Sequence, residues 1–340
     1  MMKEISVSII VGEYNSSAFI RKNVESLLEQ DYNNIEILLY DDASTDNTRE
    51  IMRELEVEHP DKIRIFVSDI NGGVGKGRNY CLNRAEGDYI LFMDHDDYID
   101  RSYVSTLVRE AEKSKNIDVF YTGFTSVEEN GDIRYVRKFR TEEEAFRQSI
   151  PLFAKMYRRN FLVENNIYSC EGRVIEDILY QGVLEARRPK IKLVDYPKYY
   201  YVFNRKSIKN TVFLEFQNGI IDKSFDYLIR NKNLLSQESY EIASYYAFYF
   251  VCWYLLKTGA YVKKENMDAE YSKAFGYLDR HFAEYRNNKY LTLRGLKGSR
   301  MVVNLALKTV SVLDKLDLSK WFFGFYAKNG RFFRKFWPEL

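Results

Sequence analysis

Two clusters of carboxylates are the residues in this chain best suited to chemistry. One is Asp41-Asp42-Ala43-Ser44-Thr45-Asp46, the other Asp94-His95-Asp96-Asp97, and each follows an apolar run. Carboxylates gathered this closely repel one another unless a cation or hydrogen-bond donors compensate them. Mg²⁺ and Mn²⁺ prefer oxygen ligands and commonly bridge to substrate phosphates. Asp94 and Asp96 stand two residues apart, so in extended chain they point the same way, which suits a metal–diphosphate site. The plainer reading makes Asp41, Asp46 and Asp97 caps and loop residues. His95 reads as a loop residue and is left out of the metal set. The segment after Asp97 lacks the glycine and distal glutamate of an EF-hand.

Two further segments accompany the clusters. Asn71-Gly72-Gly73-Val74-Gly75-Lys76-Gly77-Arg78-Asn79 opens a helix and mixes glycine with basic side chains. It matches neither a P-loop nor GxGxxG spacing. It could offer backbone N–H groups or Arg78 to an anion, or simply turn the chain into the helix. Gly172-Arg173-Val174-Ile175-Glu176-Asp177 precedes an amphipathic helix bearing Ile178, Leu179, Val183 and Leu184. Taken alone, Glu176 and Asp177 are ordinary helix-start carboxylates favoured by the dipole.

The elements that must position these groups read as alternating strands and helices. Ile5–Val11, Ile35–Tyr40, Ile63–Val67 and Tyr89–Met93 have strand character, and Asn15-Ser16-Ser17 is expected to cap a helix carrying Phe19, Ile20, Val24, Leu27 and Leu28. Strands alternating with helices imply a parallel sheet built from right-handed crossovers. Ligands of such sheets bind beyond the carboxyl ends of the strands, where both acidic clusters fall. Asp118–Gly123, Ile191–Val194 and Tyr199–Phe203 read as later strands, and Asn130-Gly131 as a hairpin turn. From about Leu214 onward the pattern is helical. The expected division is therefore a catalytic domain over 1–210 and a helical region over 211–340.

Bulk properties narrow the class. The 340 residues are 46% hydrophobic and 29% charged, as in a globular protein, and the net charge of +2 gives no reason to expect nucleic acid. The three cysteines, Cys81, Cys170 and Cys252, are far apart, which speaks against a zinc site or a disulfide framework. The chain enters a strand pattern at once, and no uncharged apolar run nears the ~20 residues of a membrane span. A cytoplasmic protein is expected, with no signal peptide.

Taken together and in order, Val7–Asn15 (VSIIVGEYN), the Asp41–Asp46 run, Asn71–Asn79, Asp94–Asp97 and Glu176-Asp177 resemble family-2 glycosyltransferases, inverting enzymes of the glycosyltransferase A-type fold. The resemblance covers roughly residues 4 to 210 and implies an α/β fold, a Rossmann-like, mostly parallel sheet with flanking helices. It implies that Gly12 and Asp42 hold the nucleotide base, with Asp42 accepting from a ring N–H, and that Arg78 lies near the donor. It implies that Asp96 binds Mn²⁺ or Mg²⁺ directly and that Asp94 meets the ribose or the metal. Asp177 falls at the catalytic base and Glu176 at an acceptor contact. Tyr199–Ile208 resembles the segment closing such domains, where Arg205 and Ser207 would meet the diphosphate. Gly12-Glu13 departs from the usual proline-containing pattern and bears on which nucleotide is bound.

The implied reaction moves a sugar, hexosyl or N-acetylhexosaminyl, from a nucleotide-diphosphate donor, with UDP favoured, to a saccharide or lipid-linked saccharide hydroxyl in surface-polysaccharide or glycoconjugate synthesis. Two other readings stand beside it. A sugar nucleotidyltransferase would carry its Gly-rich stretch directly after the first strand, where Gly12-Glu13-Tyr14-Asn15 stands instead. A non-catalytic scaffold of the same fold would be marked by loss of Asp96 or Asp177, and both are present. The tail from Lys320 to Trp337 mixes aromatics with cations, which suits contact with a membrane surface at its inner face, or packing of the rings on the catalytic domain or on a second subunit of a homo-oligomer.

Overall fold

The computed structural model describes residues 4–171, 176–203, 220–232, 236–259 and 264–333. Its packing divides into two compact units, one of residues 1–180 with 189–204, the other of 181–188 with 205–340. The first unit thus runs to 204, where the helical pattern set the division at 210, and residues 181–188 group with the helical unit.

The first unit opens with the expected alternation. β1 (Val7–Glu13), α1 (Ile20–Leu28), β2 (Ile35–Asp42), α2 (Thr48–Glu58), β3 (Ile63–Ser68), α3 (Val74–Leu82) and β4 (Tyr89–Asp94) follow in turn. Next come β5 (Tyr98–Ile99), α4 (Tyr103–Lys113), β6 (Val119–Thr122), β7 (Phe124–Val127) and β8 (Ile133–Arg137). The run ends with α5 (Glu142–Gln148), β9 (Lys155–Arg158), α6 (Arg159–Glu164), α7 (Glu176–Ala186), β10 (Ile191–Val194) and β11 (Tyr199–Val202).

A seven-stranded sheet has the order β10-β6-β9-β4-β1-β2-β3 and is parallel except at β9, which pairs antiparallel with both β4 and β6. A four-stranded sheet, β5-β11-β7-β8, lies beside it in the same unit. The mostly parallel α/β sheet is therefore borne out, while the antiparallel insertion and the second sheet were not expected. The hairpin turn is present: Gly131, at φ 90, donates to the Glu128 carbonyl between β7 and β8.

Period-two alternation explains the layering. Val7, Ile9 and Val11 of β1 bury against Ile20, Val24 and Leu27 of α1, while Gly12 on the other face meets α3. Burial of each such aliphatic side chain stabilises the fold by roughly 1.5–3 kcal/mol.

The cap of α1 differs from expectation. Helix α1 starts at Ile20, and no side chain of Asn15, Ser16 or Ser17 caps it. Asn15 is instead at φ 50 with its Oδ1 accepting the Thr45 N–H at 2.8 Å, so it ties the first acidic loop to β1. A long-range loop bond has taken the side chain that local spacing assigns to a cap.

The second unit is helical, as expected: α8 (Ile220–Lys232), α9 (Gln237–Gly259), α10 (Lys264–His281), a 3₁₀ turn at Ala283–Asn287, α11 (Met301–Lys315) and α12 (Ser319–Phe333). No described helix is long and apolar enough to cross a membrane. The tail rings divide, Phe323 and Tyr326 being buried within the unit and Trp321 and Phe325 exposed. Residues 334–337 lie outside the described residues.

Candidate active site

Three adjacent parallel strands bring the acidic clusters to one sheet edge. β1 lies between β2 and β4, and Gly12 is in register with Tyr40 on one side and Asp94 on the other. A Cβ on Gly12 would stand 3.3 Å from Val74 Cγ2, so a side chain there would press on the start of α3. Asp42 is buried, and its two carboxylate oxygens accept the backbone N–H groups of Gly72 at 2.8 Å and Gly73 at 2.7 Å. It therefore pins the glycine loop, and each oxygen keeps a lone pair for a further donor. Gly73 has φ 82, a left-handed conformation that favours glycine.

Asp41 points to the opposite face of the sheet. There it accepts Ser44 N–H at 3.1 Å and Arg49 Nε at 2.9 Å. Asp46 accepts the Thr48 N–H at 3.0 Å and the Ser17 N–H at 3.2 Å, tying this loop to the start of α2, whose N-cap is Asn47. Asp97 is buried and anchors β11 by accepting the Tyr199 hydroxyl at 2.7 Å and the Val202 N–H at 2.8 Å. Burial, with Asp94 and Asp96 beside it, holds its carboxyl well above the usual carboxylate range.

The remaining carboxylates converge on Arg78. Its side chain is 7% exposed, and its guanidinium lies 2.9 Å from Asp94 Oδ1 and 4.0 Å from Asp177 Oδ1. Asp94 and Asp177 keep 29% and 27% of their side-chain surface in solvent. An arginine so placed offsets the repulsion of two carboxylates, and its loss would remove that compensation from both. Asp177 comes from the first turn of α7, far along the chain, and reaches the β4 edge through this cation. Asp96 is half-buried in the turn after β4, with its charge felt at Glu13 and Asp97.

Glycines in the 71–79 segment serve the approach of α3 to its neighbours. A Cβ on Gly75 would fall 2.1 Å from the Cys170 carbonyl oxygen, and one on Gly77 2.6 Å from the Tyr40 ring. Asn79 holds the same seam by donating from Nδ2 to the Ser169 carbonyl and to Glu171 Oε1. Helix α3 is thus clamped to the stretch that runs toward α7.

The burial of two titratable groups escaped the sequence reading, which named Glu13 only for its bearing on the nucleotide and did not name Lys155. Glu13 is fully buried at the end of β1. Its Oε2 accepts from the Ser16 hydroxyl, and Oε1 has no hydrogen-bond partner among the described residues. Burial pushes its carboxyl up to about 7, with Asp41 and Asp96 adding to the effect and His95 opposing it. Lys155 of β9 is equally buried, donating to the Ser149 and Pro151 carbonyls at 2.5 and 2.6 Å. Burial lowers its ammonium to about 7, against an opposing pull from Asp177. A lone charged residue inside an apolar run, as in Ala154-Lys155-Met156-Tyr157, is the only sequence signal that marked it.

The structure therefore gathers Gly12, Asp42, Arg78, Asp94, Asp96 and Asp177 in one unit. The side chain of Glu176, together with Arg205 and Ser207, lies outside the described residues. Among the described residues no three His, Cys, Asp or Glu side chains are grouped to hold a metal by themselves.

Comparison with known proteins agrees with this architecture. Residues 8–176 match the family model "Glycosyl transferase family 2". The chain is 30% identical over 209 residues to poly(ribitol-phosphate) beta-N-acetylglucosaminyltransferase TarS of Staphylococcus aureus (strain MW2), covering 58% of this chain and 36% of that protein. It is 28% identical over 183 residues to glycosyltransferase GlyA of Streptococcus pneumoniae serotype 4, covering 53% of this chain and 26% of that protein. The chain thus spans well under half the length of these curated relatives. The crystal structure of S. aureus TarS 1-349 in complex with UDP-GlcNAc superposes with a TM-score of 0.69 at 19% identity, covering 96% of this chain and 92% of that one. The mannosyltransferase PcManGT from Pyrobaculum calidifontis, in complex with GDP-Man and Mn²⁺, superposes at 0.50 with 14% identity, covering 98% and 89%. These likenesses establish the glycosyltransferase A-type fold, and through the domain at residues 8–176 the chain belongs to glycosyl transferase family 2.

Proposed function

We propose that the protein transfers a sugar from a nucleotide-diphosphate donor to an acceptor hydroxyl with inversion at the anomeric carbon. The observation that carries this reading is the Arg78 guanidinium shared between Asp94, at the donor end of the sheet, and Asp177. A UDP-sugar, hexosyl or N-acetylhexosaminyl, is the favoured donor, supported by the UDP-GlcNAc and UDP complexes of the structurally similar TarS. The acceptor is a saccharide or a lipid-linked saccharide.

In this reading Gly12 and Asp42 receive the base, Asp42 accepting from a ring N–H. Asp96 and Asp94 fit a hard divalent cation: two partly exposed carboxylates, with no third His, Cys, Asp or Glu grouped with them among the described residues, suit Mg²⁺ or Mn²⁺ shared with donor phosphates. Such a cation would neutralise charge developing on the leaving diphosphate. Asp177 accepts the acceptor hydroxyl proton as that oxygen attacks the anomeric carbon and the bond to the diphosphate breaks. Arg78, 4.0 Å from Asp177, orients it. Glu176 contacts the acceptor, and Arg205 and Ser207 close on the diphosphate.

The test is a calorimetric titration of UDP into the full chain, with and without Mn²⁺, beside Asp96→Ala. Binding that requires the metal and disappears in the variant is expected, and would be followed by turnover assays with UDP-sugars. If UDP, GDP, CDP and dTDP all fail to bind the wild type, the reading is wrong.

A further inference from the structure

Helix α11 carries apolar residues on two sides. Val303, Leu307 and Val310 are buried in the helical unit, whereas Met301, Leu305, Val312 and Leu316 are 79%, 54%, 41% and 60% exposed. At 3.6 residues per turn those four fall within roughly 60° of arc. Lys308 and Lys315 border the stripe on one flank. One side of an amphipathic helix is normally solvated and polar, so a second apolar stripe needs a separate cause.

Helix α12 continues the pattern. Trp321 and Phe325 stand one turn apart, exposed, with their rings stacked at 5.5 Å, while Phe323 and Tyr326 of the same helix are buried. Lys320 and Lys328 are exposed beside them. Charge over this region is one-sided. From Lys297 to Lys328 the cations are Lys297, Arg300, Lys308, Lys315, Lys320 and Lys328. Only two carboxylates oppose them. Asp314 is buried and accepts from Tyr285 and Arg286, which leaves Asp317 as the exposed one.

An exposed aliphatic stripe, an exposed tryptophan and a surplus of lysine call for a surface that is apolar beneath and anionic above. A protein partner would have to match each lysine with a carboxylate, whereas anionic headgroups supply phosphate at any register. We propose that the outer faces of α11 and α12 dock the protein on an anionic lipid bilayer, with the stripe and the Trp321–Phe325 pair at the acyl boundary and the lysines on lipid phosphates. The proposal goes beyond the catalytic reading and does not depend on it. It would place the protein on the membrane that carries a lipid-linked substrate.

The experiment is flotation of the full chain with phosphatidylcholine vesicles and with phosphatidylcholine–phosphatidylglycerol vesicles. Two double variants, Lys308→Glu/Lys315→Glu and Leu305→Ser/Trp321→Ser, accompany it, with Val57→Ser, exposed on α2, as control. Leu305, Lys315, Trp321 and Val57 are exposed and Lys308 is half-buried, and circular dichroism checks that each variant is folded. Wild type and Val57→Ser are expected to float with the mixed vesicles only, less so at high salt. Each double variant should lose roughly tenfold or more of its partition. Equal flotation of wild type and both double variants would overturn the proposal, as would no flotation at all. A dimer that dissociates in Leu305→Ser/Trp321→Ser, with no vesicle binding by wild type, would assign the face to a second copy of the chain.

Discussion

The carboxamide of Asn79 grips Ser169 at both ends, its Oδ1 accepting the Ser169 N–H at 2.7 Å and its Nδ2 donating to the Ser169 carbonyl at 2.9 Å. One side chain on α3 thereby supplies what a strand partner would supply to a stretch with no ladder of its own. The next residue back along α3 is Arg78, so the clamp sets how far that guanidinium lies from the chain leading to Asp177. Asn79→Ala would leave the Ser169 amide and carbonyl buried and unpaired. The expected loss is about 2–4 kcal/mol in urea unfolding, with kcat falling more than donor KM rises. Unchanged stability would show that water replaces both bonds.

Asp177→Asn tests the base with little change of shape. Loss of a general base lowers kcat by roughly 10²–10⁴. UDP affinity by calorimetry should stay within about twofold of wild type, since the base acts on the acceptor. A parallel loss of UDP binding would move Asp177 to the donor side of the site.

Glu13 predicts a pH-dependent stability. Its carboxyl is raised from 4.5 to about 7 by burial, so the folded state holds a proton that the unfolded state releases. The contribution is complete below about pH 4.5 and is lost as pH rises through 7. The full effect is roughly 3 kcal/mol. Glu13→Gln, which keeps the shape without the charge, should flatten this slope and raise Tm at pH 8 above wild type. Equal slopes of Tm against pH in the two proteins would disprove it.

The glycines separate packing need from conformational freedom. Gly75→Ala places a methyl 2.1 Å from the Cys170 carbonyl oxygen, and backbone must move to accept it. A cost of about 1–3 kcal/mol or more is expected, with loss of transferase activity because the α3 seam opens. Gly276, in α10, has no atom within 4 Å of a Cβ, and Gly276→Ala should stabilise by about 0.5–1 kcal/mol. Chemical denaturation of both variants decides the pair.

Some of this architecture follows from the sequence alone, because the signals are local. Period-two runs at Val7–Val11 and Ile35–Tyr40, broken by helical periodicity, require parallel strands and crossovers, and put Asp41, Asp42 and Asp94 at strand ends. Tertiary structure alone decided the rest. The antiparallel β9 gains its partners β4 and β6 from distant parts of the chain, and no local period records that. Asn15 gave up a cap for a loop bond across 30 residues. Burial of Glu13 and Lys155 depends on what packs over them, and beyond the apolar run around Lys155 the spacing records neither. Likewise Arg78 and Asp177 are ordinary helix residues until the fold sets them 4.0 Å apart, because a side chain's partner is a property of the packing and not of its neighbours in sequence.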